Sequence, residues 1–533
     1  MGTSPSRSGR IILIAASVPP MLRAVLCGAS AARGERVLIA VSYIRVKSGE
    51  RRPFGWDCTQ PMNLSERNSN KMETTNNPMT LKRQHTLPIT LWLVTAFAWL
   101  PTLTGRAADS PSTAARAPAK IFDVRQFGAK GDGKTLDTAA IQKALDECGN
   151  AGGGTVRFPA GTYLSEPISL RSKTTLLVEE GAKLQATGEQ AAFLKSGTNW
   201  LAAQSGNDFI PFISGKKLTD VTITGKGTID GAGENWWGPA EEARRKTPGF
   251  TLPRPNLIVL NDCNNVRMDK ITLQNSPKFH FVPTDCEDVV VEGVTVRAPS
   301  RSANTDAIDP SRCRRVLITR CDIDVGDDNI AIKSGKKVPG HEFACEDITV
   351  TDCIFRRGHG MSIGSETAGG VRNVTVRNCT FEGTENGIRI KSRRGNGGTV
   401  ENISYSDITM KNVDPAITLI CQYGGTSAKD PVQPSASKKD TAQHVTETTP
   451  IYRNIRITNL KATCEKSAGI IFGLPESPVS DVVLENVQIS GASGLTIRNA
   501  KGVQLKNVQV TPKEGPPFIV ENAQVEGLKS TKD

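Results

Sequence analysis

The stretch VVVEGVTV at 289–296, followed by VLITRCDI at 316–323, ITVTDCIF at 348–355 and VTVRNCTF at 374–381, decides the fold. Each unit alternates aliphatic and polar residues, breaks at a Gly, Asn or charged residue, and alternates again. Period-two alternation marks a strand with one face buried. Successive units start 27, 32 and 26 residues apart, and ISYSDITM at 403–410 starts 29 residues after the last of them. The theme begins upstream with VTITGKGTI at 221–229 and continues through IRITNLKA at 455–462, VVLENVQI at 482–489 and VQLKNVQV at 503–510. One unit cannot bury its aliphatic face alone, whereas stacked units build a continuous core. The period and the short strands predict an all-β parallel β-helix. A leucine-rich repeat would need a regular Leu frame, and a propeller would need longer four-stranded units.

The open end of such a solenoid exposes unpaired strand edges and needs a cap. DTAAIQKALDEC at 137–148 supplies a short N-terminal capping helix, with Asp137 as N-cap and Ile141, Leu145 and Cys148 on one stripe. Composition agrees with a strand-rich chain of 533 residues: aromatics are 5% and glycines number 49. The net charge of +12 is not spread evenly. Residues 1–107 hold 14 Lys/Arg and 5 Asp/Glu, a net of +9, which leaves +3 for the rest. A near-balanced body with a basic leader is not a nucleic-acid binder.

Within the leader, Lys82 and Arg83 precede an apolar run from Leu87 to Leu103, and Gly105, Ala107 and Ala108 follow. That order is the order of a secretory signal peptide, and Pro88 and Pro101 argue against a stable spanning helix. The expectation is a secreted or periplasmic protein with no stable membrane association after cleavage. Met79 stands just before the basic pair, so translation is expected to begin there. The expected organisation is an extension without a domain at 1–78, a signal peptide at 79–107, a linker at 108–120, the β-helix at 121–525 and a tail at 526–533. The polar segments 425–450 and 189–215 are expected to be loops bordering a groove. Ten of the 12 cysteines follow the leader, mostly inside strand patterns, and read as small core residues with one or two disulfides at most. None has zinc-ligand spacing, so no metal is expected.

Four charged motifs interrupt the aliphatic ladder: Asn304-Thr305-Asp306, Gly326-Asp327-Asp328, Gly358-His359-Gly360 and Arg389-Ile390-Lys391. Taken singly, an Asp-Asp pair is ordinarily a solvated turn and an Arg-Ile-Lys a strand edge. Together, at close to one repeat apart, they fall on one side of a solenoid. Arg389 and Lys391 share a strand face, opposite Ile390. Gly326 suggests a turn or bulge that lets both aspartates face one groove. Crowded carboxylates repel one another, which lets one keep a proton. Glycoside hydrolysis needs such an acid together with a base that activates water. The cation pair suits the carboxylate of a sugar acid, so the expected substrate is a polyuronide.

These residues resemble the polygalacturonase family of glycoside hydrolases, of the family 28 type. The resemblance runs over about 121–523 and includes FDVRQFGAKGDGKTLDTAAIQKALDEC, GKGTIDGAGENWW, RPNLIVLNDCNNV and LQNSPKFHF. It continues with NTDAIDP, VGDDNIAIKSG, GHGMSIGSE and GIRIKSRRGNGG, and with Tyr423 in ICQYGG. It implies a right-handed parallel β-helix that hydrolyses α-1,4-galacturonosidic bonds of pectin with inversion and without a cofactor. Carried over residue by residue, Asp327 matches the general acid, and Asp306 and Asp328 match the carboxylates that position and activate water. His359 matches the histidine that supports the acid. Arg389 and Lys391 match the residues that grip the galacturonate carboxylate. Tyr423 matches the tyrosine beside the central subsite, and Asn304 matches an orienting residue. Asn329 departs from members with Cys after the Asp pair. The alternatives weighed are a hydrolase of rhamnogalacturonan or xylogalacturonan, a β-helical polysaccharide lyase, and a non-catalytic carbohydrate-binding β-helix. The expected partner is a pectic polysaccharide, with no nucleic acid, and the expected state is a monomer. Trp236 and Trp237 read as sugar stackers or loop packing, His280 as a groove candidate, and Arg393 and Arg394 as an extended cationic subsite or solvated residues.

Overall fold

The structure, a computed structural model, describes residues 120–195, 208–247, 252–337, 339–340, 342–424 and 441–528. The chain separates into two units, Met1–Arg106 and Ala107–Asp533, and every described residue belongs to the second. The extension at 1–78, the leader at 79–107, all of the linker but Lys120, the end of the tail and the 425–440 portion of the polar loop lie outside the described residues.

The chain winds into a right-handed parallel β-helix in which each turn contributes to three columns of parallel strands. The first column includes Thr174–Val178, Thr219–Thr224, Asn264–Asp269, Glu287–Glu292, Arg314–Thr319 and Cys345–Thr351. The second includes Ala182–Ala186, Thr228–Asp230, Thr272–Gln274, Thr295–Arg297, Asp322–Asp324 and Ile354–Phe355. The third includes Ile213–Lys216, Ile258–Asn261, Phe281–Thr284, Ile330–Ile332, Met361–Gly364, Ile388–Lys391, Ile417–Ile420 and Ser467–Phe472. Ile308 bridges Phe281 to Ile330 and so keeps this third column continuous.

The repeated units of the sequence are the first two columns read through the corner between them. From Val371–Glu382 onward the two strands of a unit run on as one bent strand, as in Thr399–Lys411 and Ile451–Thr463. The bend falls at residues in the left-handed region, among them Asn378, Asp407, Asn459 and Asn486. Asn and Asp tolerate that region because their short side chains bond locally. Here they also bond along the stack: Asn459 donates to Asp407 at 2.8 Å and Asn486 to Asn459 at 3.2 Å.

Inward-facing Val, Ile, Leu and Phe side chains of all three columns form one buried cluster. The ten described cysteines are free and buried, as small core residues. Helix α1, Thr138–Asn150, buries Ile141, Ala144, Leu145 and Cys148 against that cluster. Asp137 precedes it in the N-cap position, but its carboxylate makes no cap hydrogen bond. It instead accepts the backbone N–H groups of Lys130 and Gly131 at 2.7 and 3.0 Å, which ties down the preceding loop. Helix α2, Glu234–Lys246, carries the two tryptophans. Trp236 is buried edge-on to Phe193 and Phe209, and the half-buried Trp237 donates its indole N–H to the Ser276 carbonyl at 3.1 Å, so both pack a loop onto the solenoid. No helix among the described residues is long and apolar enough to cross a membrane.

Candidate active site

The site stands where the chain enters the third column. Ile308, Ile330, Met361 and Ile388 lie in one register along it. Asp306, Asp328 and His359 each sit two residues before one of these, and Asp327 sits three before. Parallel register therefore stacks residues far apart in sequence within a few strand spacings. Arg389 lies beside Ser362, and Lys391 beside Gly364.

Glycines let the entry turns approach one another. A Cβ on Gly326 would meet the Ser302 carbonyl oxygen at 2.3 Å, so this glycine serves close approach rather than a positive φ. Gly360 needs both, with φ of 78° and a Cβ position 1.9 Å from the Asn386 carbonyl oxygen. Buried Asn329 joins the two turns by accepting the Gly360 N–H at 2.9 Å and donating to the carbonyls of Ile323 and Arg357. Its role is therefore in the backbone of the site, not in the chemistry.

The structure brings all eight expected residues together. His359 Nδ1 lies 2.9 Å from Asp327 Oδ1, and its Nε2 lies 3.2 Å from Glu385. The Asn304 backbone N–H and side-chain amide approach Asp327 Oδ2 at 3.2 and 3.4 Å. Asp328 is buried; Arg389 pairs with its Oδ1, Lys391 reaches its Oδ2 at 2.8 Å and Ser362 donates to Oδ1 at 2.9 Å. Tyr423 lies with its ring centroid 5.3 Å from the Lys391 ammonium. Lys333 connects Asp306, at 3.4 Å, to Asp309, at 2.5 Å.

Arg389 and Lys391, expected to grip a sugar carboxylate, are both buried and both engaged by Asp328. The strand face that carries them is covered by the neighbouring entry turns, which the alternation of a single strand does not reveal.

The electrostatics divide the carboxylates into two kinds. Burial raises Asp327, but the His359 charge and hydrogen bond outweigh it and hold the carboxyl well below the usual range. Burial likewise raises Asp328, and Arg389 and Lys391 bring it below the usual range. Asp306 goes the other way: burial, Asp309 and Asp327 push it well above the usual range, against the pull of Lys333. Burial disfavours the His359 cation, yet the Asp327 charge and hydrogen bond and Glu385 raise this imidazole to about 10. The imidazole of His359 thus carries a proton beside an ionised Asp327, and the carboxyl most able to take up a proton is Asp306.

Asp327, Asp328 and His359 place potential ligand atoms within 4.8 Å of one another. That grouping is already compensated by Arg389, Lys391 and Ser362 on Asp328 and by Glu385 on His359.

The structure adds residues that sequence reading missed. Lys333 occupies the register position of Lys391, and the repeated strings IAIKS at 330–334 and IRIKS at 388–392 are the signal for it. Asp309 lies three residues after Asp306 in NTDAIDP. Buried Arg254 donates to Asn304 Oδ1 at 2.9 Å and to the Pro277 and Ala303 carbonyls, orienting Asn304 toward Asp327. Glu385 and Ser362 had no local signal, because only the stack places them against His359 and Asp328. His280 is fully buried and does not line a groove. It accepts the Ser276 N–H at Nε2, so its Nδ1 donates to the Asp306 carbonyl at 3.1 Å, and burial lowers it to about 4. Arg394 is paired with Glu476 at 2.6 Å, and Arg393 is exposed.

Clustered carboxyls beside buried cations on a parallel β-helix are the groups that a polysaccharide-cleaving enzyme requires. Residues 148–513 match the model of the glycosyl hydrolases family 28, and the chain belongs to that family of glycoside hydrolases. It is 37% identical over 306 residues to an endo-polygalacturonase of Pectobacterium carotovorum subsp. carotovorum, covering 55% of this chain and 74% of the relative. Among solved structures it resembles the polygalacturonase of Erwinia carotovora ssp. carotovora, at TM-score 0.59 and 29% identity over 79% of this chain and 100% of that one. It also resembles a hyperthermoactive exopolygalacturonase of Thermotoga maritima, at TM-score 0.61 and 26% identity over 74% of this chain and 93% of that one.

Proposed function

We propose that this chain hydrolyses the α-1,4-galacturonosidic bonds of polygalacturonate by acid–base catalysis with inversion. The observation that carries the reading is the division of the carboxyls: Asp327 is ionised against a protonated His359 that can supply it with a proton, beside Asp306, the best proton acceptor of the cluster. In this mechanism the proton carried by His359 Nδ1 passes through the Asp327 carboxyl to the glycosidic oxygen as the bond to the anomeric carbon breaks. Water attacks that carbon from the opposite face and gives its proton to Asp306, with Asp328 fixing the water's position. Asn304 orients Asp327. Arg389 and Lys391 hold Asp328 ionised and face the sugar carboxylate across it, and Tyr423 borders the sugar beside Lys391.

The relatives named polygalacturonases support a pectic polysaccharide as substrate. Export to the periplasm or medium through the 79–107 leader, and action as a monomer, belong to the same proposal. The test is the purified protein on polygalacturonic acid with chelator present, following reducing ends and ultraviolet absorbance together. New reducing ends without absorbance are expected, and product sizes separate exo from endo cleavage. Absorbance would mean β-elimination by a lyase. No turnover would direct the assay to branched pectins and then to plain carbohydrate binding.

A further inference from the structure

Just before Asp306 along the third column, the turn Ser276-Pro277-Lys278-Phe279 enters the strand Phe281–Thr284. Its end is joined to the site directly, since the His280 N–H donates to the Asp306 carbonyl at 2.8 Å. Two lysines share the Phe279 ring: Lys333 with its ammonium 4.1 Å from the centroid and Lys278 at 4.4 Å. Lys333 is neutralised by Asp309 and Asp306. Lys278 makes no ion pair among the described residues. Its ammonium is therefore a half-buried cation on an aromatic face, one rung before Asp306.

We propose that Lys278 on Phe279 is a second carboxylate-binding position, which reads a further acidic sugar of the bound polymer. This rests on the polygalacturonate reading above. Four strand spacings separate the Phe281 position from Ile388. Arg389 and Lys391 reach back to Asp328, at the Ile330 position two spacings from Phe281; at about 4.8 Å per spacing that still leaves roughly 10 Å, more than one sugar ring spans. Two separated cationic positions, one on each side of the Asp306–Asp327 cluster, would hold a chain of sugar acids across the scissile bond. An ammonium recognises an ionised carboxylate and loses most of that interaction with a methyl ester. The local field agrees. Burial and the charges of Lys333 and Arg254 push Lys278 below its ordinary value, a cost that an incoming anion relieves. Lys278 is thus a specificity-determining residue for free acid at that position.

The experiment compares the unaltered enzyme with Lys278→Gln and Lys278→Arg, on polygalacturonate and on methyl-esterified pectin of matched length. Lys278→Gln is expected to raise KM on polygalacturonate roughly tenfold, the order expected for one hydrogen bond to a charged group. Little change in kcat is expected, together with a reduced preference for the de-esterified polymer. Lys278→Arg is expected to restore both. Unchanged KM and preference in Lys278→Gln, or an equal loss in both variants, would overturn the assignment and leave Lys278 a packing role. If the unaltered enzyme releases no reducing ends from polygalacturonate, the hydrolase reading itself fails and this inference falls with it. An active enzyme with an unaffected Lys278→Gln variant removes this inference alone.

Discussion

At the scale of single residues, the site works by giving similar carboxyls different surroundings. Asp327 and Asp328 are adjacent in sequence, yet one faces an imidazole and the other two cations. Asp327→Asn keeps the shape of the acid and removes its proton transfer. It is expected to lower kcat by about 10²–10⁴-fold with the circular dichroism spectrum unchanged, as read by reducing-end release. The pH dependence follows from Asp306. Its carboxyl is raised, so it becomes an available base only as pH climbs above the ordinary carboxylate range. Lys333 opposes that rise. Removing its charge in Lys333→Met therefore raises Asp306 further, and the acid limb of the kcat/KM profile should move to higher pH. A limb that stays in place or moves to lower pH would remove Asp306 from the role of base.

At the scale of elements, the entry turns matter more than the strands. The strands supply register, and the turns aim Asp306, Asp327 and His359. Gly360→Ala places a Cβ against the Asn386 carbonyl oxygen in a left-handed conformation that disfavours side chains. It should cost about 1–3 kcal/mol of stability and displace His359, read as a lower Tm together with a lower kcat. Some of this was legible beforehand, because Gly-His-Gly and Gly-Asp-Asp mark turns by composition. The reason for each glycine was not. Gly326 is required by the Ser302 and Pro299 carbonyls across a turn, and those contacts exist only once the rungs are stacked.

At the scale of the whole molecule, each rung touches chiefly its neighbours, so stability is distributed along the stack while activity is local. Phe158 is buried near the N-terminal end, with its ring edge-on to Tyr163 at 5.3 Å between centroids. Phe158→Ala should cost about 3–5 kcal/mol in denaturant unfolding. Its kcat/KM, measured well below the unfolding transition, should stay unchanged because the site lies several rungs away. A coupled fall in kcat/KM would show that the rungs act as one cooperative body.

By itself the sequence determined the solenoid and the four charged motifs at the centre of the site. Period-two alternation that returns at near-constant intervals admits few ways to bury its aliphatic face, and near-rung spacing puts Asp306, Asp327, His359 and Arg389 on one side. Only the tertiary structure decided which charge meets which. Arg389 and Lys391 turn to Asp328, Lys333 to Asp309 and Asp306, and Glu385 to His359. These pairings form between rungs one or two apart, across 24 to 63 residues of chain. Register sets them there and burial sets their strength, and neither quantity exists in an isolated strand.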